Sequence, residues 1–166
     1  MASRRGFLTG LVCLSVAPSV AAAEDEVIQL DWPDLLPKDA PPSPPVFGGL
    51  IDHDQPAMSV QQPPSSGLRA DWNGKIVRLP GFVVPLDHKG SGVVAFLLVP
   101  FVGACVHVPP PPANQLVLVT SAVPYEAKGM FDPVFVTGMF GAASTNTQLA
   151  QVGYALSADK IEPYHE

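Results

Sequence analysis

Cysteine is nearly missing from this chain, with two in 166 residues, and that scarcity excludes a disulfide-stapled scaffold. Charge is sparse as well: nine basic residues face fifteen acidic ones, for a formal net charge of −6. A chain so poor in Lys and Arg, with no aromatics interleaved among them, offers no phosphate-neutralising groove, so nucleic acid is not an expected partner. No glycine-rich phosphate cradle, no paired-carboxylate signature and no internal repeat occurs. No helix of more than a few turns is expected, and no apolar run approaches the roughly 20 residues needed to cross a bilayer.

What is present begins with an address. Ser3-Arg4-Arg5-Gly6-Phe7-Leu8 fits the twin-arginine export pattern. A mildly apolar run from Leu8 to Val20 follows, and Ala21 and Ala23 supply a small-x-small cleavage site. Residues 1–23 therefore read as a removable leader to the periplasm, leaving no membrane insertion after cleavage. Cys13 is a poor lipoprotein acceptor, because Val12 stands where a small residue is needed. The 166 residues less this leader leave 143, enough for one barrel-sized domain. Losing Arg4 and Arg5 takes the net charge from −6 to −8. The leader also carries off Cys13, so Cys105 has no intramolecular partner in an oxidising compartment.

Composition divides the remainder in two. Residues 24–70 form a Pro-rich arm, punctuated by Pro41-Pro42-Ser43-Pro44-Pro45 and Gln61-Gln62-Pro63-Pro64. Within it, Leu30-Asp31-Trp32-Pro33-Asp34-Leu35-Leu36 predicts a short helical patch with Pro33 in its first turn. Trp32, Leu35 and Leu36 share a face that either covers the chain's own barrel or docks a partner.

Residues 71–166 read as strands. Lys75 to Leu86 is a long one, with Pro80 and Gly81 suggesting a bend. Asp87 to Gly92 is a hairpin loop, and Val93 to Val99 returns from it. Gln115–Ser121, Pro133–Phe140 and Val152–Lys160 supply three more. The expected fold is all-β: a small five-stranded OB-like Greek-key barrel of antiparallel strands. A β-sandwich competes, but seven convincing strands are not found.

Chemistry concentrates in Gly103–Gln115, GACVHVPPPPANQ. Cys105 and His107 stand at i and i+2, which share a face of extended backbone at roughly 7 Å between Cα atoms. Thiolate and imidazole are suited to Zn²⁺ or Cu⁺, and that spacing fits two ligands of one tetrahedral ion. A site needs at least a third donor. A hairpin register with Val99 near Leu79 would bring Asp71 beside Cys105, and His53 in the arm is the other main candidate, with His165 behind them. His88 falls at the far end of the barrel wall. Cys105 has other readings: a buried core thiol, a redox thiol whose pKa His107 lowers, or a Cys-His nucleophile lacking any orienting third residue. The four prolines stiffen the flank, bridging two strands or standing out as a recognition rod, with Asn114 and Gln115 placed to bond the loop's unpaired carbonyls.

Two strings carry a resemblance. Gly74-Lys75-Ile76-Val77-Arg78-Leu79-Pro80-Gly81-Phe82-Val83-Val84-Pro85-Leu86 and the segment Leu97 to Gln115, with its Cys-x-His-x-Pro-Pro-Pro-Pro-x-Asn-Gln core, are similar to those of a bacterial family of exported proteins classed as a domain of unknown function. The Leu30-Asp31-Trp32…Leu35 patch has a counterpart there too. The family often has Tyr where Phe101 or Val102 stands. The resemblance implies an exported, periplasmic protein and brings no activity with it; an envelope ABC transporter is the neighbour it suggests. Two functional classes follow. One is a periplasmic metal-binding or metal-handling protein using zinc or copper at Cys105, His107, Asp71 and His53. The other is a non-catalytic interaction module serving an envelope transporter or another periplasmic protein. An enzyme is not expected.

Overall fold

Alternation in the segment from Lys75 organises the molecule. Val77, Leu79 and Val83 are fully buried, whereas Ile76, Arg78 and Pro80 between them are half-exposed, the period-two pattern of a barrel wall. The computed structural model describes residues 26–39, 62–104 and 110–164. It contains six strands: β1 (Ile28–Gln29), β2 (Lys75–Lys89), β3 (Gly92–Val99), β4 (Val117–Tyr125), β5 (Pro133–Asn146) and β6 (Gln151–Pro163). Two 3-10 turns, Trp32–Leu35 and Ala113–Gln115, complete the regular structure. Among the described residues no helix is long and apolar enough to cross a membrane.

At 15 residues β2 is long enough to serve two neighbours. Its first half pairs with β5, Lys75↔Phe140 through Phe82↔Pro133, and its second half pairs with β3, Phe82↔Val99 through Lys89↔Gly92. The order β2-β3-β4-β6-β5 then closes back onto β2. The fold is thus a closed five-stranded all-β barrel with β1 as an extra strand. Within the barrel one pairing departs from the expected antiparallel pattern: β4 and β6 run parallel, from Val117↔Tyr154 to Ser121↔Ala158. Closure dictates this. Because β5 returns to β2, β6 must enter between β4 and β5, antiparallel to β5 and so parallel to β4.

The hairpin register also differs from the expected one. Val99 lies opposite Phe82, three residues beyond Leu79, and the ladder shifts at Pro85/Asp87 and Asp87/His88. The irregularity is therefore near the hairpin tip. At Pro80 and Gly81, where a bend was expected, the pairing with β5 continues unbroken. Gly81 serves instead for close approach: a Cβ there would lie 2.7 Å from Leu98 Cγ and 2.9 Å from the Val99 carbonyl. Gly138 has the same role on the other side of the barrel, where a Cβ would collide with the Ser157 carbonyl, at the register shift between β5 and β6.

Side chains fill the barrel. Phe96, Leu98, Val117, Val119, Val134, Val136 and Leu156 are wholly buried with Val77, Leu79 and Val83. Phe140 and Tyr154 stack at 5.0 Å between ring centroids. Leu30 and Leu35, from the arm, belong to this same core. A second cluster of Val84, Leu97, Val99, Ala104, Leu116 and Val152 uses the alternate positions of β2 and β3, hence the opposite face of that hairpin. The chain leading into and out of residues 105–109 packs there.

Candidate functional site

The polar groups that organise one end of the barrel come from four stretches far apart in sequence. Tyr154, on β6, is fully buried. Its hydroxyl donates to the Leu35 carbonyl at 2.8 Å and accepts from the Arg69 backbone N–H at 2.7 Å. Arg69 in turn donates from Nη1 to the Asp34 carbonyl at 2.9 Å, and from Nε to Asp71 Oδ2 at 2.8 Å. Its guanidinium lies 5.3 Å from the Trp72 ring centroid. The segment 34–35, the segment 69–72 and the barrel thus meet on one tyrosine and one arginine.

The residues after the proline run join this network. Buried Asn114 donates from Nδ2 to Ser66 Oγ and the Gly67 carbonyl, at 2.9 and 3.0 Å. Gln115 donates from Nε2 to the Trp32 and Asn114 carbonyls, both at 3.0 Å. These side chains were expected to serve the proline loop's own carbonyls; they mainly hold the arm. The carbonyl of buried Pro111 is met by Gln62, whose Nε2 donates to it at 2.8 Å. Gln62 also exchanges two bonds with the Gln151 backbone. A single glutamine therefore ties the segment emerging after residue 61 to the segment emerging after residue 109.

Cys105, His107, His53 and His165 lie outside the described residues, as do the leader and its Arg pair. Of the proposed ligands, Asp71 is described. Its exposed carboxylate is engaged by Arg69, whose hydrogen bond holds its pKa below the ordinary carboxylate value. The register that placed Asp71 beside Cys105 does not hold. Gly74 donates its backbone N–H to Phe140 O at 2.8 Å, and Asn73 Oδ1 accepts from Ala142 at 2.7 Å, so this turn is bonded to β5 rather than β3. His88 pairs with Val93 near the hairpin tip. Among the described residues no three His, Cys, Asp or Glu side chains converge as a metal centre.

Tyr154, Arg69 and Gln62 were not singled out from sequence. Each stands among residues that read as ordinary strand or loop, and their importance lies in partners 35 to 119 positions away. A tyrosine in an otherwise small and apolar strand, Val152-Gly153-Tyr154-Ala155-Leu156, was the one available signal, because a buried phenol needs a partner.

This architecture places the chain in a defined family: it belongs to the proteins of unknown function grouped as DUF3299, whose profile matches residues 32–163. The match starts at Trp32 and ends within β6, so it spans the arm patch as well as the barrel. A crystal structure of a DUF3299 family protein from Pseudomonas aeruginosa PAO1 is similar, with a TM-score of 0.75 at 35% identity over 85% of this chain and 98% of that one. Comparison with curated proteins finds no match.

The network makes a direct prediction. Burial raises the Tyr154 pKa above the ordinary 10.0, since a phenolate would be desolvated and could no longer donate to Leu35. A group whose pKa is raised on folding contributes stability fully below its unfolded pKa and loses it as pH rises through the folded one. Stability should thus decline above pH 10. Tyr154→Phe leaves the Leu35 carbonyl and Arg69 N–H without their partner, a cost of about 1–3 kcal/mol at neutral pH. Denaturant unfolding should show that loss and a shallower alkaline decline. The decline that remains belongs to Tyr125, whose pKa is raised by burial and by its bond to Asp132. An unchanged midpoint in Tyr154→Phe contradicts the assignment.

Proposed function

We propose that this protein is a non-catalytic interaction module of the cell envelope, exported by the twin-arginine route, whose barrel docks on a partner protein; an envelope transporter is the class of partner favoured. The outer wall of β4, β6 and β5 carries this reading. Leu118, Met139, Ala142, Ala143 and Ala155 line a shallow groove there whose remaining lining residues include Thr120 and Ser157 and no charged side chain. Met139 is 55% exposed. In a chain of net charge −6, a groove lined by no charged side chain lets a partner pack without stripping water from charges. Alanine and glycine at its centre allow close backbone approach. The barrel interior is filled by side chains, which directs recognition to the outside. The strand order, with β6 inserted between β4 and β5, supports the OB-like assignment. That fold class alone names no ligand, and the charge balance speaks against nucleic acid.

A probe of proximity tests the wall. A photo-crosslinking residue placed at Met139 should give one discrete adduct in intact cells, which Ala143→Glu in the same protein abolishes. The probe at Lys89, near the hairpin tip, should give none. No adduct from position 139, or the same adducts from both positions, would overturn the reading.

Metal handling by Cys105 and His107, with His53 or Asp71 as a further donor, is supported by one observation. Residues 105–109 run between a fully buried Ala104 and a buried Pro111, and Gln62 bonds the latter to the chain emerging after residue 61. Fixed stems reduce the ordering needed to bind an ion. The Arg69 ion pair makes Asp71 the weaker donor of the two. Elemental analysis of the purified mature protein should find near-stoichiometric zinc or copper, released on acidification as thiolate and imidazole take protons, and lost in both Cys105→Ser and His107→Ala. Equal metal content in Cys105→Ser rules it out.

A further inference from the structure

Residues 28–36 meet the rest of the molecule as a bound peptide meets its receptor. Their ladder contact is short, Ile28↔Val77 and Gln29↔Arg78, and it is parallel. Beyond it the contacts are of another kind. The Leu30 N–H donates to Arg78 O at 3.0 Å and Trp32 Nε1 donates to Pro80 O at 2.8 Å. Three backbone carbonyls of the segment are then read by side chains from elsewhere: Trp32 O by Gln115, Asp34 O by Arg69 and Leu35 O by Tyr154. Leu30 and Leu35 are anchors, 2% and 0% exposed. Strand addition at a sheet edge, side-chain donors fixing carbonyls, and pockets for alternate apolar residues are the recurring parts of extended-peptide recognition.

The segment is also preorganised as a ligand. Pro33 fixes one φ in the turn, and the Asp31 N–H donates to Asp34 Oδ2 at 2.9 Å, so less freedom is lost on docking. On the receptor side the edge exists because β3 stops opposite Phe82, leaving that side of Lys75–Gly81 without a barrel neighbour. Pro80 has no N–H to offer there, and Trp32 takes its carbonyl with a side-chain donor.

We propose that this cleft, the edge of β2 from Lys75 to Gly81 together with Gln115, Arg69 and Tyr154, is a peptide-binding site whose resident ligand is the chain's own segment 28–36. Its recognition pattern is apolar-Asp-Trp-Pro-x-Leu, and a partner protein presenting an extended segment of that pattern displaces the arm. This site is separate from the β4–β6–β5 wall, and each stands or falls without the other.

The test uses the full mature chain with a protease recognition sequence substituted for residues 46–52, cut after folding. The cut protein should elute as one two-piece species and take up a labelled synthetic peptide of residues 26–39 in place of its own fragment, read by fluorescence anisotropy. A Trp32→Ala peptide, and separately a Gln115→Ala receptor, should each bind about tenfold weaker or worse, the cost of a lost anchor or buried hydrogen bond. The uncut chain, whose tethered arm competes intramolecularly, should bind the labelled peptide about a hundredfold weaker. Unfolding on cleavage would show the arm to be an inseparable part of the core and would overturn the proposal. So would failure of the labelled peptide to exchange, or equal binding by the Trp32→Ala peptide.

Discussion

The structure depends on one unsatisfied edge. A five-stranded barrel closed by a single 15-residue strand leaves half of one side of that strand unpaired, because β3 reaches only as far as Phe82. Buried backbone groups without partners cost about 1–3 kcal/mol each, and an open edge invites pairing with another chain. The chain answers with its own arm. Leu30 takes the Arg78 carbonyl, Trp32 takes the Pro80 carbonyl, and Leu30 and Leu35 enter the core beneath. Everything at this end of the barrel then follows: the arm's own carbonyls need donors, which Gln115, Arg69 and Tyr154 supply.

Seen from that edge, the segment after the proline run is as much a bracket as a rod. Asn114 and Gln115 bond residues of the arm on both sides of the segment 40–61, while Gln62 bonds the Pro111 carbonyl and β6 together. The motif richest in chemistry is therefore mounted on the network that holds the arm. Gln115 and Gln62 are the links: Gln115 bonds the Trp32 and Asn114 carbonyls, and Gln62 bonds Pro111 once and Gln151 twice.

Sequence made the wall legible and the joints illegible. Alternating buried residues in Ile76–Val84 and β-branched runs after Val93, Val117, Pro133 and Val152 give five strands directly, and five strands of that length favour a barrel. The parallel β4–β6 pair escaped because strand order is a property of closure, not of any local pattern. The register missed by three residues because the turn centres between Gly90 and Ser91, inside the Lys89↔Gly92 pair, and not on Lys89; the two shifts between Pro85 and His88 cancel. Trp32 and Leu35 were legible as a face, since a Trp-Pro turn with flanking leucines advertises itself. Arg69 was not, because nothing within four residues of it hints at a partner across the chain, and Tyr154 offered only a lone phenol in a small apolar strand, with no sign of which segment it bonds. The register that had suggested Asp71 is replaced by one in which Val99 faces Phe82, and Asp71 is engaged by Arg69.

The central claim is that the arm closes the open edge of β2, and amide hydrogen exchange measures it most directly. The Leu30 N–H is the reporter, since its partner is the Arg78 carbonyl at 3.0 Å, and the Val83 N–H, bonded to Asp132 O at 3.0 Å, is the internal standard for the barrel. The account predicts Leu30 protected by at least about a hundredfold relative to an unstructured peptide, as a bonded edge amide must be. Exchange of Leu30 at the unstructured rate, with Val83 still protected, would contradict it.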